Sequence, residues 1–206
     1  MYDMAALYQA ADVQDAIRLR LEHPEAQIIA GGTDVLVQMR EGKRAGKALI
    51  SIQRCDEMRG VTIDEEENIR IGSLTSFTHI TNDPIIQRYI NVLGEAVDMV
   101  GGPQIRNAGT IGGNTCNGVT SADSASTLHA WEAIVEITGK TVYAGCRSGI
   151  FISGRERWIC ASRTARFRRR FSSPRRPMTG HSGTISSMPC ETRWTSRRLA
   201  PPSTPA

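Results

Sequence analysis

Residues 104–114 read Gln104-Ile105-Arg106-Asn107-Ala108-Gly109-Thr110-Ile111-Gly112-Gly113-Asn114, and an earlier stretch reads Ile28-Ile29-Ala30-Gly31-Gly32-Thr33-Asp34. Both combine an apolar lead, a Gly-Gly pair and small polar residues. Glycine turns the chain at positive φ and leaves no Cβ in the way of a ligand. Successive backbone N–H groups can then face one concavity and hold an anion such as a pyrophosphate, and a helix beginning just beyond adds favourable partial charge. Thr33 and Thr110 can add hydroxyl donors. A lone Gly-Gly pair is more often plain turn punctuation. Neither stretch has the G-x-G-x-x-G spacing of a dinucleotide-binding βαβ unit or the G-x-x-x-x-G-K-[ST] spacing of a P-loop. General chemistry therefore stops at a phosphate-containing ligand.

The surrounding chain alternates short strands and helices, which points to an α+β or α/β domain. Asp12 is placed to cap a helix carrying Val13, Ala16, Ile17 and Leu21, which His23-Pro24 ends. Residues 27–30, 48–52 and 68–71 read as strands. Asp83-Pro84 opens a helix with proline at its first position, with Ile85, Ile86, Tyr89, Ile90 and Leu93 as its buried stripe and Gly94 as its end. Residues 95–100 form a further short helix, 101–118 a glycine-rich polar stretch, 123–131 a helix and 133–137 a strand.

Composition excludes several classes. Hydrophobic residues make up 40% and charged residues 22% of the 206, within the range of a globular protein. No apolar run is long enough to span a bilayer, and the start Met1-Tyr2-Asp3-Met4 lacks the features of a secretory signal. A cytosolic protein is the expectation. The five cysteines show neither C-x-x-C pairing nor metal-ligand spacing, so no metal site is expected here and an iron–sulfur cluster would belong to a partner. Cys116, close to Gly113, reads as a small buried packing residue. The four histidines are scattered and receive no role.

Read in order, Ala30-Gly31-Gly32-Thr33-Asp34, Ile71-Gly72-Ser73-Leu74-Thr75, the 104–114 string and Ser121-Ala122-Asp123-Ser124 resemble the flavin-binding subunits of the molybdenum hydroxylases. That family includes xanthine dehydrogenase, carbon monoxide dehydrogenase and hydroxybenzoyl-CoA reductase. The nearest likeness is to the separate FAD-binding subunit of bacterial xanthine dehydrogenases, over essentially all of residues 1–140. The resemblance implies an α+β FAD-binding domain of the p-cresol methylhydroxylase and vanillyl-alcohol oxidase type. It implies that Gln27, Ile28, Ile29, Ala30, Gly31, Gly32, Thr33 and Asp34 wrap the FAD pyrophosphate. Gly109, Thr110, Ile111, Gly112 and Gly113 would lie along the flavin and its phosphates, with Asn114 supporting the loop. Asp123 would bond a hydroxyl of the cofactor's sugar portion; as a plain structural residue it would cap the helix it begins. Arg106 orders a loop. No side chain is expected to be catalytic, because the flavin carries the chemistry. The implied partners are a molybdopterin subunit, a 2Fe–2S subunit and NAD+ as acceptor, in purine oxidation. An aromatic acyl-CoA reductase or carbon monoxide dehydrogenase flavin subunit is the related alternative.

Beyond Lys140 the character changes. Residues 1–140 hold 12 Lys and Arg against 19 Asp and Glu, a net of −7, whereas 141–206 hold 13 Arg and two acids, a net of +11, with no Lys or Asp. Apolar periodicity is poor, so 141–206 is expected to be a largely disordered Arg/Ser/Pro-rich tail. A basic arm for nucleic acid would explain the arginines. Translation out of frame explains them better: back-translating Gly180 to Leu199 and reading from the third base can give a Tyr-x-Lys, Arg, Asp-x-Ala pattern that resembles the second domain of the same family. Sequencing the gene tests this. An open second-domain sequence in the alternate frame from about codon 140 is the expected result, and its absence removes the frameshift.

Overall fold

A computed structural model describes residues 3–119, 121–131, 133–138, 142–147 and 161–167. Two sheets organise them. The first is a three-stranded parallel sheet of β1 (Met4–Gln9), β2 (Gln27–Ile29) and β3 (Lys47–Ser51), with β3 in the middle. Helices α1 (Val13–Glu22) and α2 (Val35–Arg40) make its crossovers, as parallel neighbours require. Asp12 caps α1 by accepting from the Asp15 amide, and Glu57 accepts the Val13 amide at 2.9 Å. His23 ends α1 and stacks on Tyr8 of β1 at 4.0 Å, which gives this histidine a packing role.

The second sheet is antiparallel, in the order β4 (Val61–Ile63), β5 (Ile69–Gly72), β8 (Ala161–Phe167), β6 (Ile134–Thr138) and β7 (Val142–Arg147). An ion pair of 2.8 Å between Arg70 and Glu136 links β5 to β6 across β8. Two stretches of the expected tail, 142–147 and 161–167, are thus strands. The rest of that segment, 148–160 and 168–206, lies outside the described residues.

Six helices accompany this sheet: α3 (Phe77–Asn82), α4 (Pro84–Tyr89), α5 (Asn91–Asp98), α6 (Pro103–Ala108), α7 (Ile111–Asn117) and α8 (Asp123–Ala130). Their apolar residues, Phe77, Ile80, Ile86, Ile90, Leu93, Val97, Ile111 and Leu128, close over Ile69 and Ile71 of β5. Each fully buried isoleucine or leucine contributes about 1.5–3 kcal/mol of transfer free energy. Asp83 caps α4 on the Ile85 and Ile86 amides with Pro84 at the first position, as read from the sequence. The expected single helix ending at Gly94 is instead two, broken at Ile90 (φ −143, ψ 48). Gly94 lies inside α5, where its carbonyl accepts the Thr81 hydroxyl at 3.3 Å. The glycine-rich stretch 101–118, read only as polar and irregular, contains α6 and α7.

The two sheets meet where the chain between β3 and β4 crosses the end of β5. Met58 and Leu74 share a core cluster with Val13, Ala16 and Ile50, and the Leu74 amide donates to the Met58 carbonyl at 2.8 Å. A Cβ on Gly72 would sit 2.5 Å from the Met58 carbonyl carbon and 2.8 Å from the Arg59 nitrogen. Gly72→Ala must therefore shift backbone, and a loss of about 2–3 kcal/mol is expected. The neighbouring Ser73 hydroxyl is buried with no partner among the described residues. Ser73→Ala removes an unsatisfied group and is expected to be neutral or stabilising. Denaturant unfolding of the two variants checks both signs.

Candidate functional site

The first glycine segment leaves β2 and enters α2 through a left-handed residue, Gly32, at φ +78. The Leu36 amide closes the turn on the Gly32 carbonyl at 3.0 Å. The five amides from Gly31 to Val35 donate to no acceptor among the described residues. The segment is only half-buried. Five adjacent unpaired donors in a turn are the physical requirement for an anion-binding concavity.

The side chains around this loop do a different job. Asp34 accepts the Gln38 amide group at 2.5 Å, and Arg44 donates to both Gln38 and Gln27. Gln27 also donates to the Ile28 carbonyl at 3.1 Å. Gln27 and Asp34, both expected to wrap the ligand, therefore join a side-chain network that braces β2 and α2. Ile29 is buried and packs with Met39 and Leu49. What the loop itself offers a ligand is main chain.

The second segment behaves in the opposite way. Gly109 donates to Ile105 at 2.6 Å, Ile111 to Thr75 at 3.1 Å, Gly112 to Ser73 at 2.9 Å and Asn114 to Thr110 at 3.0 Å. Gly113 donates to the Thr110 hydroxyl oxygen at 3.1 Å, which makes Thr110 the N-cap of α7. Among the described residues, Thr110 alone in this segment has an amide without a protein acceptor. The glycines serve close approach instead. A Cβ on Gly112 would meet the Ser73 carbonyl oxygen at 2.7 Å, and one on Gly109 would meet the Phe77 ring at 2.9 Å.

The two segments touch. A Cβ on Gly31 would collide with the Ala108 carbonyl, lying 2.6 Å from its carbon and 3.3 Å from the Gly109 Cα. Only main chain fits at this contact. It seats the open amides of Gly31 to Val35 directly beside the start of the 109–114 turn, as a shared ligand requires.

Asn114 accepts the Ser124 hydroxyl at 2.7 Å and so holds α7 to α8. Between these helices lies a shallow groove lined by residues that include Asn114, Gly118, Val119, Ser124 and Leu128. Asp123 lies in the first turn of α8 and is exposed, while Ala122 is the N-cap. The capping role considered for Asp123 is therefore not the one it has. Arg106 donates to the Gly101 carbonyl at 2.7 Å and pairs with Asp98 at 3.2 Å, tying α6 to the turn before it.

The cysteines separate by environment. Cys55 is buried, and burial followed by the charge of Glu57 pushes its thiol up to about 11. Cys116 is exposed, which corrects the expectation of a buried packing residue. Among the described residues no three His, Cys, Asp or Glu side chains are grouped to hold a metal ion, and no helix is long and apolar enough to cross a membrane.

Gln53 and Arg59 escaped the sequence reading. Gln53 donates to the Ala30 carbonyl at 2.9 Å, and Arg59 donates to the Gln53 carbonyl at 2.7 Å. No motif signals either, because each acts on backbone brought close only by the fold.

Comparison with known proteins bears on the family and the fold. The family described as "FAD binding domain in molybdopterin dehydrogenase" matches residues 3–157, past the Lys140 boundary expected from charge. The xanthine dehydrogenase FAD-binding subunit of Escherichia coli O157:H7 is 44% identical over 137 residues, covering 66% of this chain and 47% of that protein. The nicotinate dehydrogenase FAD-subunit of Eubacterium barkeri is 38% identical over 108 residues, covering 52% and 36%. The chain thus spans about half the length, or less, of these curated relatives. Among solved structures, carbon monoxide dehydrogenase from Hydrogenophaga pseudoflava superposes with a TM-score of 0.75 at 24% identity, over 82% of this chain and 60% of that one, which shows the shared fold. With a main-chain cradle between two glycine segments and a family match over three-quarters of its length, the chain belongs to the FAD-binding domains of the molybdopterin dehydrogenases.

Proposed function

We propose that the chain is the FAD-carrying electron-transfer component of a xanthine dehydrogenase-like complex. In this reading electrons leave a purine at the molybdenum centre of one partner, pass through 2Fe–2S clusters in another, and reach NAD+ by way of the flavin. The observation that carries it is the contact of Gly31 with the Ala108 carbonyl, which puts five open amides beside the 109–114 turn. The relatives named for FAD-binding subunits support the cofactor, and the one named for xanthine dehydrogenase has the higher identity of the two.

The chain's own residues bind and orient. Gly31, Gly32 and Thr33 offer main-chain donors to the pyrophosphate, and the Thr33 hydroxyl can add one more. Gly109 through Gly113 are the residues that would lie along the flavin and its phosphates, and Gly113 is the exposed one among them. Asp123 offers an exposed carboxylate to a sugar hydroxyl. Bound FAD supplies the redox chemistry itself, so no side chain has to act as acid, base or nucleophile.

The division near residue 140 belongs to the same proposal. If 141–206 stands in place of the family's second domain, the flavin loses contacts from that domain and binds more weakly. Fluorescence titration of the purified chain with FAD is expected to show saturable binding, weaker than that of the E. coli subunit. A folded chain with no saturable binding contradicts the flavin reading; retention of stoichiometric FAD through purification contradicts the loss of contacts. Gly31→Ala drives a Cβ into the Ala108 carbonyl and is expected to abolish FAD binding while lowering stability by about 1–3 kcal/mol. Unaltered FAD affinity in this variant contradicts the site.

A further inference from the structure

Outside the glycine segments, one pair of side chains acts on both of them. Gln53 follows β3, is exposed, and donates its side-chain amide to the Ala30 carbonyl at 2.9 Å. Ala30 immediately precedes Gly31. In a trans peptide the C=O and the next N–H point in opposite directions. No peptide bond among the described residues is cis. Fixing the Ala30 oxygen on Gln53 therefore aims the Gly31 N–H away from Gln53. That amide is the first of the five with no protein acceptor.

Gln53 is itself held. The Arg59 guanidinium donates to its main-chain carbonyl at 2.7 Å and to the Leu74 carbonyl at 3.4 Å, and pairs with Asp56 at 3.3 Å. Leu74 follows Ser73, whose carbonyl accepts the Gly112 amide at 2.9 Å. One guanidinium thus refers the carbonyl clamp on the first glycine segment to the strand end on which the second one rests.

We propose that Gln53, steadied by Arg59, is a positioning residue that sets the Ala30–Gly31 peptide so that its amide faces the diphosphate of the cofactor. The inference rests on the flavin reading above and adds a residue to it. Gly31 on one side of an unclamped Ala30–Gly31 bond lets the plane rotate more cheaply than a residue with a side chain would. A rotated plane would present the Ala30 carbonyl oxygen, a partial negative charge, toward the anion. Gln53 makes one of the two orientations the resting one.

The test compares ADP with adenosine, which share the base and sugar and differ in the diphosphate. Equilibrium dialysis is run on the full chain, on Gln53→Ala and on Gln53→Glu. Glutamate has nearly the same shape but cannot donate when ionised, so it separates donation from packing. Both variants are expected to raise the ADP dissociation constant about fivefold, the size of one ordinary hydrogen bond, while adenosine binding and the unfolding midpoint stay unchanged. Equal ADP affinity in all three chains overturns the proposal. So does a loss shared equally by adenosine, because that marks a general distortion. An unsubstituted chain that binds neither ligand overturns the flavin reading itself, and the clamp with it.

Discussion

Main chain lies on main chain where Gly31 passes the carbonyl of Ala108, and the rest of the site depends on that contact. A methyl group at Gly31 has no room, since the obstacle is backbone and cannot change rotamer. The closeness joins a loop of the parallel sheet to the end of α6, which packs on α3. It is reinforced nearby by Gly72 under the Met58 carbonyl and by Gly112 on Ser73. Three glycines at three crossings let two small sheets share one interface.

Those crossings divide the work between the segments. Gly31 to Val35 keeps its amides unspent and exposes them, whereas the 109–114 segment spends nearly all of its amides on the protein. One segment keeps main-chain donors free of protein acceptors, and the other uses its glycines for close packing on Phe77 and Ser73. The side chains mostly stabilise the frame: Gln27, Asp34, Gln38 and Arg44 brace β2 and α2, Asn114 and Ser124 join α7 to α8, and Arg106 fixes the approach to α6. A binding module of this kind can transmit redox chemistry without a reactive side chain of its own, since the cofactor brings the reactivity.

Much of this was legible in the residues. The Gly-Gly pairs located both segments, Asp12 and Asp83-Pro84 located helix starts, and the runs at 27–30, 48–52 and 68–71 located strands to within a residue at each end. What escaped has a physical cause in each case. Helices α6 and α7 carry few apolar residues at helical spacing; α7 is held by the Thr110 cap, by Gly112 against Ser73 and by Ile111 in the core. The break at Ile90 and the burial of Gly94 come from packing α5 on α3, which local propensity does not encode. The use of the 111 and 112 amides on Thr75 and Ser73 was not legible, because those acceptors are distant in sequence. Gln53 was invisible for the same reason.

Hydrogen exchange read residue by residue reports on the central claim most directly. In the chain without ligand, the amides of Gly31 to Val35 are expected to exchange fast, while Ile111, Gly112 and Gly113 are protected. Saturation with FAD is expected to protect the first group and leave the second nearly as it was. Protection of Gly31 to Val35 before any FAD is added, or no change there at saturation, would contradict the account.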